Sequence, residues 1–458
     1  MTDLKHTLAQ LREALGDAQV LTGEAISQRH YSDWTRHAPT CPAALLLPRS
    51  TEQVSAALRI CNAAQQPVVP QGGMTGLAGG AVPRAGDIAL SLERLRGIEE
   101  IDSAAATVSV WAGTTLQDIQ QAVHDAGFLF PLDLGARGSC QIGGNIATNA
   151  GGNAVIRYGM TRELVLGLEV VLADGRVLNL MNKMIKNNCG YDLKQCFIGS
   201  EGTLGVITRA VLKLAPQPAE TTTLLCALPD YPSAVSLLRR VQRSAGTPQA
   251  YELMWQDFFC MGVSWLETPV APMPDDYPLY VLLESSASRE VLEQTLEAAL
   301  EAGEVVDAIL ASSQTQARGL WKIREATGEF PVRLAPLNFD ISLPIGQIGD
   351  FAEMCRQRLA ERWPGNQSVY FGHIGDSNLH LTVDCNSLPQ PAPIIEIEEL
   401  VYSAVGEMRG AVSAEHGIGL LKREFLHHSV SDEALQTMRQ LKDCFDPQGI
   451  LNPGKILD

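Results

Sequence analysis

Apolar and polar positions change period several times along the 458 residues. The opening MTDLKHTLAQLREAL reads as an amphipathic helix. Pro42-Ala-Ala-Leu-Leu-Leu-Pro48 reads as a short apolar strand. Ser50 to Ala64 predicts a helix: Ser50 or Thr51 caps it, and Val54, Ala57, Leu58 and Cys61 share one face. Pro67-Val-Val-Pro70 is a second short strand that runs into a glycine loop. Thr107 to Trp111 predicts a strand, and Thr115 to Ala126 a helix stopped at Gly127. Leu164 to Leu172 is an apolar strand that turns at Ala173-Asp174-Gly175 into Arg176 to Leu180, a hairpin signal.

The pattern shifts near Pro216-Gln-Pro218, where the glycine-rich region ends. Strand-helix pairs follow at Thr221 to Leu228 and Tyr231 to Ser244, then at Leu279 to Glu284 and Ser288 to Ala302. This repetition predicts an α+β cap built on an antiparallel sheet. Ser431 to Cys444 is a further amphipathic helix. The expected organisation is 1–218, a substrate or cap domain at 219–410, and a 411–458 segment returning to the first domain.

Composition narrows the partners. A 45% hydrophobic, 19% charged chain suits ordered domains rather than disorder. The net charge of −17 argues against nucleic-acid or anionic-membrane partners. No apolar run approaches the roughly 20 residues of a membrane span. The opening residues lack a secretory h-region, and Asp3 and Glu13 are unlike an Arg-rich transit peptide. Ten scattered cysteines without a C-x-x-C pair read as reduced thiols of a cytoplasmic protein.

Three glycine clusters point to a ligand. Pro70-Gln-Gly-Gly-Met-Thr-Gly-Leu-Ala-Gly-Gly80 offers bare N–H groups to an anion, but matches neither common nucleotide loop. Alone, it would read equally well as a structural turn. The second cluster is Pro131-Leu-Asp-Leu-Gly135 followed by Gly138-Ser-Cys-Gln-Ile-Gly-Gly-Asn-Ile-Ala-Thr-Asn-Ala-Gly-Gly152, a poor core and a good wall for a flat ligand. The third is Phe197-Ile-Gly-Ser-Glu-Gly-Thr-Leu-Gly-Val-Ile207. Three such costly clusters in one region favour a shared ligand site over three unrelated turns.

Histidines mark a second site. Val369-Tyr-Phe-Gly-His-Ile-Gly-Asp-Ser-Asn-Leu-His-Leu-Thr-Val383 predicts a hairpin with Gly375 to Asn378 as its loop. Ile374 would then face Leu379, and His373 would face His380 closely enough to share a metal ion. Glu415, in Ser413-Ala-Glu-His-Gly-Ile-Gly419, is the third candidate ligand. A lone histidine would read as a packing residue. Two histidines and this Glu-His pair, in a chain with nine histidines, read as a His₂-carboxylate site suited to Zn²⁺ or Mn²⁺.

Together the glycine clusters resemble the FAD-binding domain of the vanillyl-alcohol oxidase/p-cresol methylhydroxylase superfamily, over about residues 40–215 plus Gly449-Ile-Leu-Asn-Pro-Gly454. Asn188-Cys-Gly-Tyr-Asp-Leu-Lys-Gln195, leading into Phe197 to Gly205, resembles its D-2-hydroxyglutarate and D-lactate dehydrogenase branch. The resemblance implies an α+β flavoenzyme in which residues 70–80 wrap the pyrophosphate, while 131–152 and 199–207 line the remainder of the FAD. The implied cofactor residues of the first loop are Pro70, Gln71, Gly72, Gly73, Met74, Thr75, Gly76 and Gly79. In the second region they are Pro131, Asp133, Leu134, Gly135, Ser139, Gly143, Gly144, Asn145, Thr148, Asn149, Gly151 and Gly152. Glu201, Gly202, Gly205, Val206, Ile207 and Asn452 complete the set. Covalently flavinylated members often carry a histidine where this chain has Met74, so a non-covalent flavin is expected.

The same resemblance makes His373, His380 and Glu415 metal ligands, His416 the active-site base and Arg324 the clamp for the substrate carboxylate. Spacing alone would leave Arg324 a solvated helix-surface residue. The implied reaction oxidises a D-2-hydroxy acid to the 2-oxo acid by hydride transfer to flavin N5. An external quinone, electron-transfer flavoprotein or cytochrome then takes the electrons. Hydroxyglutarate-specific members resemble this chain around Asp340 but carry a lysine at the position of Asn338, a threonine at Gly328 and an asparagine at Thr382. Asn338 and Thr382 are therefore candidate substrate residues, with Arg333 a possible substitute for the lysine. Rival readings are an H₂O₂-forming oxidase, a glycolate-oxidase-type subunit and, in another class, a flavin-free metallohydrolase. A homodimer is the base-rate expectation.

Overall fold

The computed structural model describes residues 4–218, 220–267 and 269–457. The first three residues of the expected opening helix, Asp3 among them, and Ala219 at the expected boundary lie outside the described residues. The chain divides into two compact units. One comprises 1–152, 158–217 and 415–458; the other comprises 153–157 and 218–414.

In the first unit, strands Ala44–Leu46 and Val68–Gln71 flank Ile88–Ser91 in parallel. All four residues of Ile88–Ser91 are buried, as expected of a strand covered on both faces. The C-terminus adds itself to this sheet: Val68 N donates to Ile450 O at 2.8 Å, and Asn452 N donates to Val68 O at 2.8 Å. A second, five-stranded antiparallel sheet carries Thr107–Trp111, Val206–Lys213, Val165–Val171 and Val177–Leu180. Helices start where hydroxyls meet apolar periodicity. Ser50 Oγ accepts from Gln53 N and caps Thr51–Ala63, and Thr115 caps Leu116–Asp125 through Asp118 N.

The second unit is a seven-stranded antiparallel sheet. In spatial order its strands are Asp307–Leu310, Thr222–Leu228, Leu279–Ser285, Ala250–Trp255, Gln367–Gly372, Asn378–Asp384 and Pro336–Ser342. Directly opposed residues share a face in such a sheet. Leu225 and Glu252 both oppose Leu282, Met254 opposes Phe371, Phe371 opposes His380, and His380 opposes Asp340. One face therefore changes along its width from hydrocarbon to polar. Its apolar part is a core of Leu225, Met254, Tyr280, Leu282 and Phe371, packed with residues of helices Gln256–Ser264 and Gln314–Arg324.

The expected hairpin forms with a different register. The first strand ends at Gly372, residues Ile374–Asp376 make a 3₁₀ turn, and Ser377 adopts φ 75°. His380 thus opposes Phe371 rather than His373, and Ile374 does not face Leu379. The offset is two residues. An even slip preserves the face, so both imidazoles still point the same way.

Candidate active site

In the first unit the glycine clusters pack on one another. A Cβ at Gly73 would lie 2.0 Å from Ser139 O, so only glycine permits this approach of the first and second loops. Gly144 has nothing within 4 Å of such a Cβ and faces open space. Gln71 braces the first loop rather than standing free: its Nε2 donates to His30 O at 3.0 Å and to Ala81 O at 3.1 Å. Asn149 Oδ1 accepts from Arg162 N, Thr148 Oγ1 donates to Gly144 O, and Asp133 lies 3.5 Å from Arg137. Val206 and Ile207 are buried core residues at the start of their strand.

Glu201 and Asn452 join the third loop to the returning C-terminal segment. Glu201 Oε1 accepts from Ile418 N at 2.7 Å, and Oε2 accepts from Gly419 N at 2.8 Å. Asn452 Nδ2 donates to Glu201 O and to Gly80 O. Burial pushes the Glu201 carboxyl up to about 6, against the pull of these N–H groups and of the Lys422 and Lys455 charges. Two residues before this clamp is His416. On its other side, Glu415 Oε1 accepts from Gly152 N at 2.7 Å. Two carboxylates thus anchor the backbone around His416.

These loops suit a nucleotide cofactor. Met74, Asn149, Glu201 and Asn452 all hold positive φ, between 43° and 59°, which non-glycine residues adopt only under local constraint. Gln141 Oε1, Asn145 Oδ1 and Asn452 Oδ1 are buried without a hydrogen-bond partner from the chain. Such orphaned acceptors beside glycine backbone match a polar ligand.

In the second unit the polar end of the sheet face carries three of the predicted side chains, His373, His380 and Arg324. The His373 and His380 ring centroids are 5.3 Å apart with planes at 83°. His373 Nδ1 lies 2.7 Å from Glu252 Oε1. Glu252 Oε2 accepts from Arg324 Nε at 2.8 Å. Arg324 is not the solvated residue that spacing favours: it is 7% exposed, its guanidinium carbon 4.8 Å from the Phe371 ring centroid. Burial pushes the Glu252 carboxyl up, but the Arg324 charge and the hydrogen bonds from His373 and Arg324 outweigh it and hold Glu252 below the usual carboxylate range. Asp340 lies 3.9 Å from His380 Nδ1 and accepts from Asn378 Nδ2 at 2.8 Å. Asp340 O also accepts from Ala414 N, and Glu415 is the next residue in the chain.

The two candidate substrate residues meet. Asn338 opposes Thr382 across the strands, and Thr382 Oγ1 donates to Asn338 Oδ1 at 2.8 Å. Arg333 is engaged elsewhere: it is 3.4 Å from Glu329 and stacks over Trp265. Glu252 was not among the predicted residues, and Asp340 carried no predicted role. The available signal was a single carboxylate inside the apolar run Ala250-Tyr-Glu-Leu-Met-Trp255, a residue type that is rarely buried unpaired.

Comparison with known proteins agrees with this anatomy. An FAD binding domain model matches residues 42–181, and the model for the C-terminal domain of FAD linked oxidases matches 217–456. Among solved structures, p-cresol methylhydroxylase with substrate bound superposes with a TM-score of 0.79 at 15% identity, over 99% of this chain and 97% of that one. A 4-ethylphenol oxidase from Gulosibacter chungangensis gives 0.75 at 18% identity, over 99% and 97%. The fold is therefore the α+β fold of p-cresol methylhydroxylase-type flavoproteins. D-2-hydroxyglutarate dehydrogenase of Stutzerimonas stutzeri is 37% identical over 100% of this chain and 99% of its own length. The mitochondrial D-2-hydroxyglutarate dehydrogenase of Bos taurus is 40% identical over 93% and 78%. The chain belongs to the FAD-linked D-2-hydroxyacid dehydrogenase family and is an FAD-dependent oxidoreductase. That membership sets aside the flavin-free metallohydrolase. No helix among the described residues is long and apolar enough to cross a membrane.

Proposed function

We propose that the chain oxidises a D-2-hydroxy acid to its 2-oxo acid, using non-covalent FAD and a divalent cation, zinc or manganese, held by His373, His380 and Glu415. The observation that carries the reading is the pair of imidazoles, 5.3 Å apart, at the polar end of an otherwise apolar sheet face. The substrate class is that of the relatives' names. When bound, FAD supplies a hydride acceptor, and the cation lowers the pKa of the substrate hydroxyl.

The chain's own residues do the rest. Glu252 accepts from His373 only if Nδ1 carries the proton, which leaves Nε2 with a lone pair for a cation. Arg324 gives its Nε to Glu252 and keeps its terminal amino groups for the substrate's C1 carboxylate. His416 removes the hydroxyl proton as general base, from a backbone anchored by Glu415 and Glu201. Residues 70–80 wrap the FAD pyrophosphate, and 131–152 and 199–207 line its other portions.

The Asn338–Thr382 pair is neutral, and Arg333 is taken by Glu329 and Trp265. D-2-hydroxyglutarate, D-lactate and related D-2-hydroxy acids are accordingly the substrates to compare. The external electron acceptor would be a quinone, an electron-transfer flavoprotein or a cytochrome. Ten unpaired cysteines fit a reducing compartment, the cytoplasm in this reading, and the base-rate assembly is a homodimer. An anaerobic panel of D- and L-2-hydroxy acids tests the proposal: D-acids bleach the flavin and L-acids do not. Bleaching by none of them contradicts it. Stoichiometric H₂O₂ in air would select an oxidase.

A further inference from the structure

Glu252 is fully buried in the strand Ala250–Trp255, and its two oxygens are divided between two donors. Oε1 meets His373 Nδ1 at 2.7 Å, and Oε2 meets Arg324 Nε at 2.8 Å. A dry carboxylate is costly unless it is paired, and here both partners belong to the proposed chemistry. We propose that Glu252 is a positioning residue that sets, with one side chain, the metal-facing nitrogen of His373 and the direction of the Arg324 guanidinium. The inference rests on the reading of His373 as a metal ligand.

The chemistry requires a carboxylate. Each partner is a donor toward Glu252, so both of its oxygens must accept. A glutamine has one acceptor oxygen, and its amino group would meet a donor. Glu252→Gln must therefore give up either the Nδ1–H form of His373 or the bond to Arg324. A histidine ligand whose other nitrogen loses its carboxylate partner binds metal more weakly. The Phe371 ring, 4.8 Å from the guanidinium carbon, supports the Arg324 plane but cannot direct its edge.

The test titrates zinc into chelator-stripped, FAD-loaded protein by calorimetry and measures KM and kcat for the acid that bleaches the flavin. Glu252→Gln should keep its flavin, bind zinc about 10–100-fold more weakly and show a raised KM. Zinc affinity and KM within about twofold of the parent would overturn the assignment. His373→Ala runs beside it. Parental zinc binding in that variant sinks the metal reading itself, whereas lost binding there with an unaffected Glu252→Gln sinks only the role of Glu252. Should Glu252→Gln fail to fold, histidine-¹⁵N spectra of the stripped parent decide. His373, identified by the signal missing in His373→Ala, should carry its proton on Nδ1. A proton on Nε2 contradicts the proposal.

Discussion

At the residue scale, each side chain of the polar patch owes its place to a partner. His373 and Arg324 would be costly to bury alone, and Glu252 serves both. Removing one member of such a buried set costs about 3–5 kcal/mol, because the others are left uncompensated. His416→Ala tests the proposed general base. It should keep FAD and the cation while the rate of flavin reduction falls about 10²–10⁴-fold, as loss of a general base does; stopped-flow reduction measures this, and a parental rate refutes the assignment. His380→Ala should stay yellow but lose both bound metal and activity, checked by metal analysis beside the flavin spectrum. Glu252 left one signal in the sequence, a lone carboxylate inside the apolar run Ala250 to Trp255, but no turn residue or motif beside it tied that strand to the site.

At the element scale, legibility followed local chemistry. The helix at Thr51–Ala63 was readable because Ser50 caps it and a 3.6-residue apolar period follows. The helices capped by Ser288 and Ser431 were readable from the same hydroxyl signal. The histidine hairpin was legible as an element but not in register. Its turn runs through Ile374 and a left-handed Ser377, a conformation that glycine or asparagine would have advertised. The face survived because the offset was even. The glycine loops were legible as a site, yet their division of labour was not: Gln71 and Glu201 brace backbone, which only tertiary contacts reveal. Gly73→Ala should separate the first two loops, since its Cβ would fall 2.0 Å from Ser139 O. The expected outcome is purified protein with a sharply reduced flavin-to-protein ratio, and full occupancy would count against that packing. Acid precipitation of the parent should release all of its flavin, because the covalent position holds Met74; colour left in the pellet contradicts this.

At the scale of the whole molecule, the acidic surplus must coexist with buried cations that hold the first unit together. Lys455 is 2% exposed, donates to Val82 O at 2.8 Å, and is lowered by burial to about 8. A lysine with a depressed folded pKa binds fewer protons in the folded than in the unfolded state between the two values. Stability therefore rises with pH from about 8 towards the unfolded value near 10.4, by at most about 3 kcal/mol. Denaturant midpoints across this range should show the rise in the parent and a flatter profile in Lys455→Met. Equal slopes would remove Lys455 as the source.

The central claim is that a cation gripped by the histidine pair is required for a 2-hydroxy acid to reduce the flavin. Anaerobic stopped-flow in the flavin absorption band tests it on one preparation in three states: as purified, chelator-stripped with FAD retained, and stripped then resupplied with zinc or manganese. The D-acid should bleach the flavin rapidly in the first state, fail to do so in the second and do so again in the third. Undiminished bleaching in the stripped, metal-free flavoprotein would contradict it.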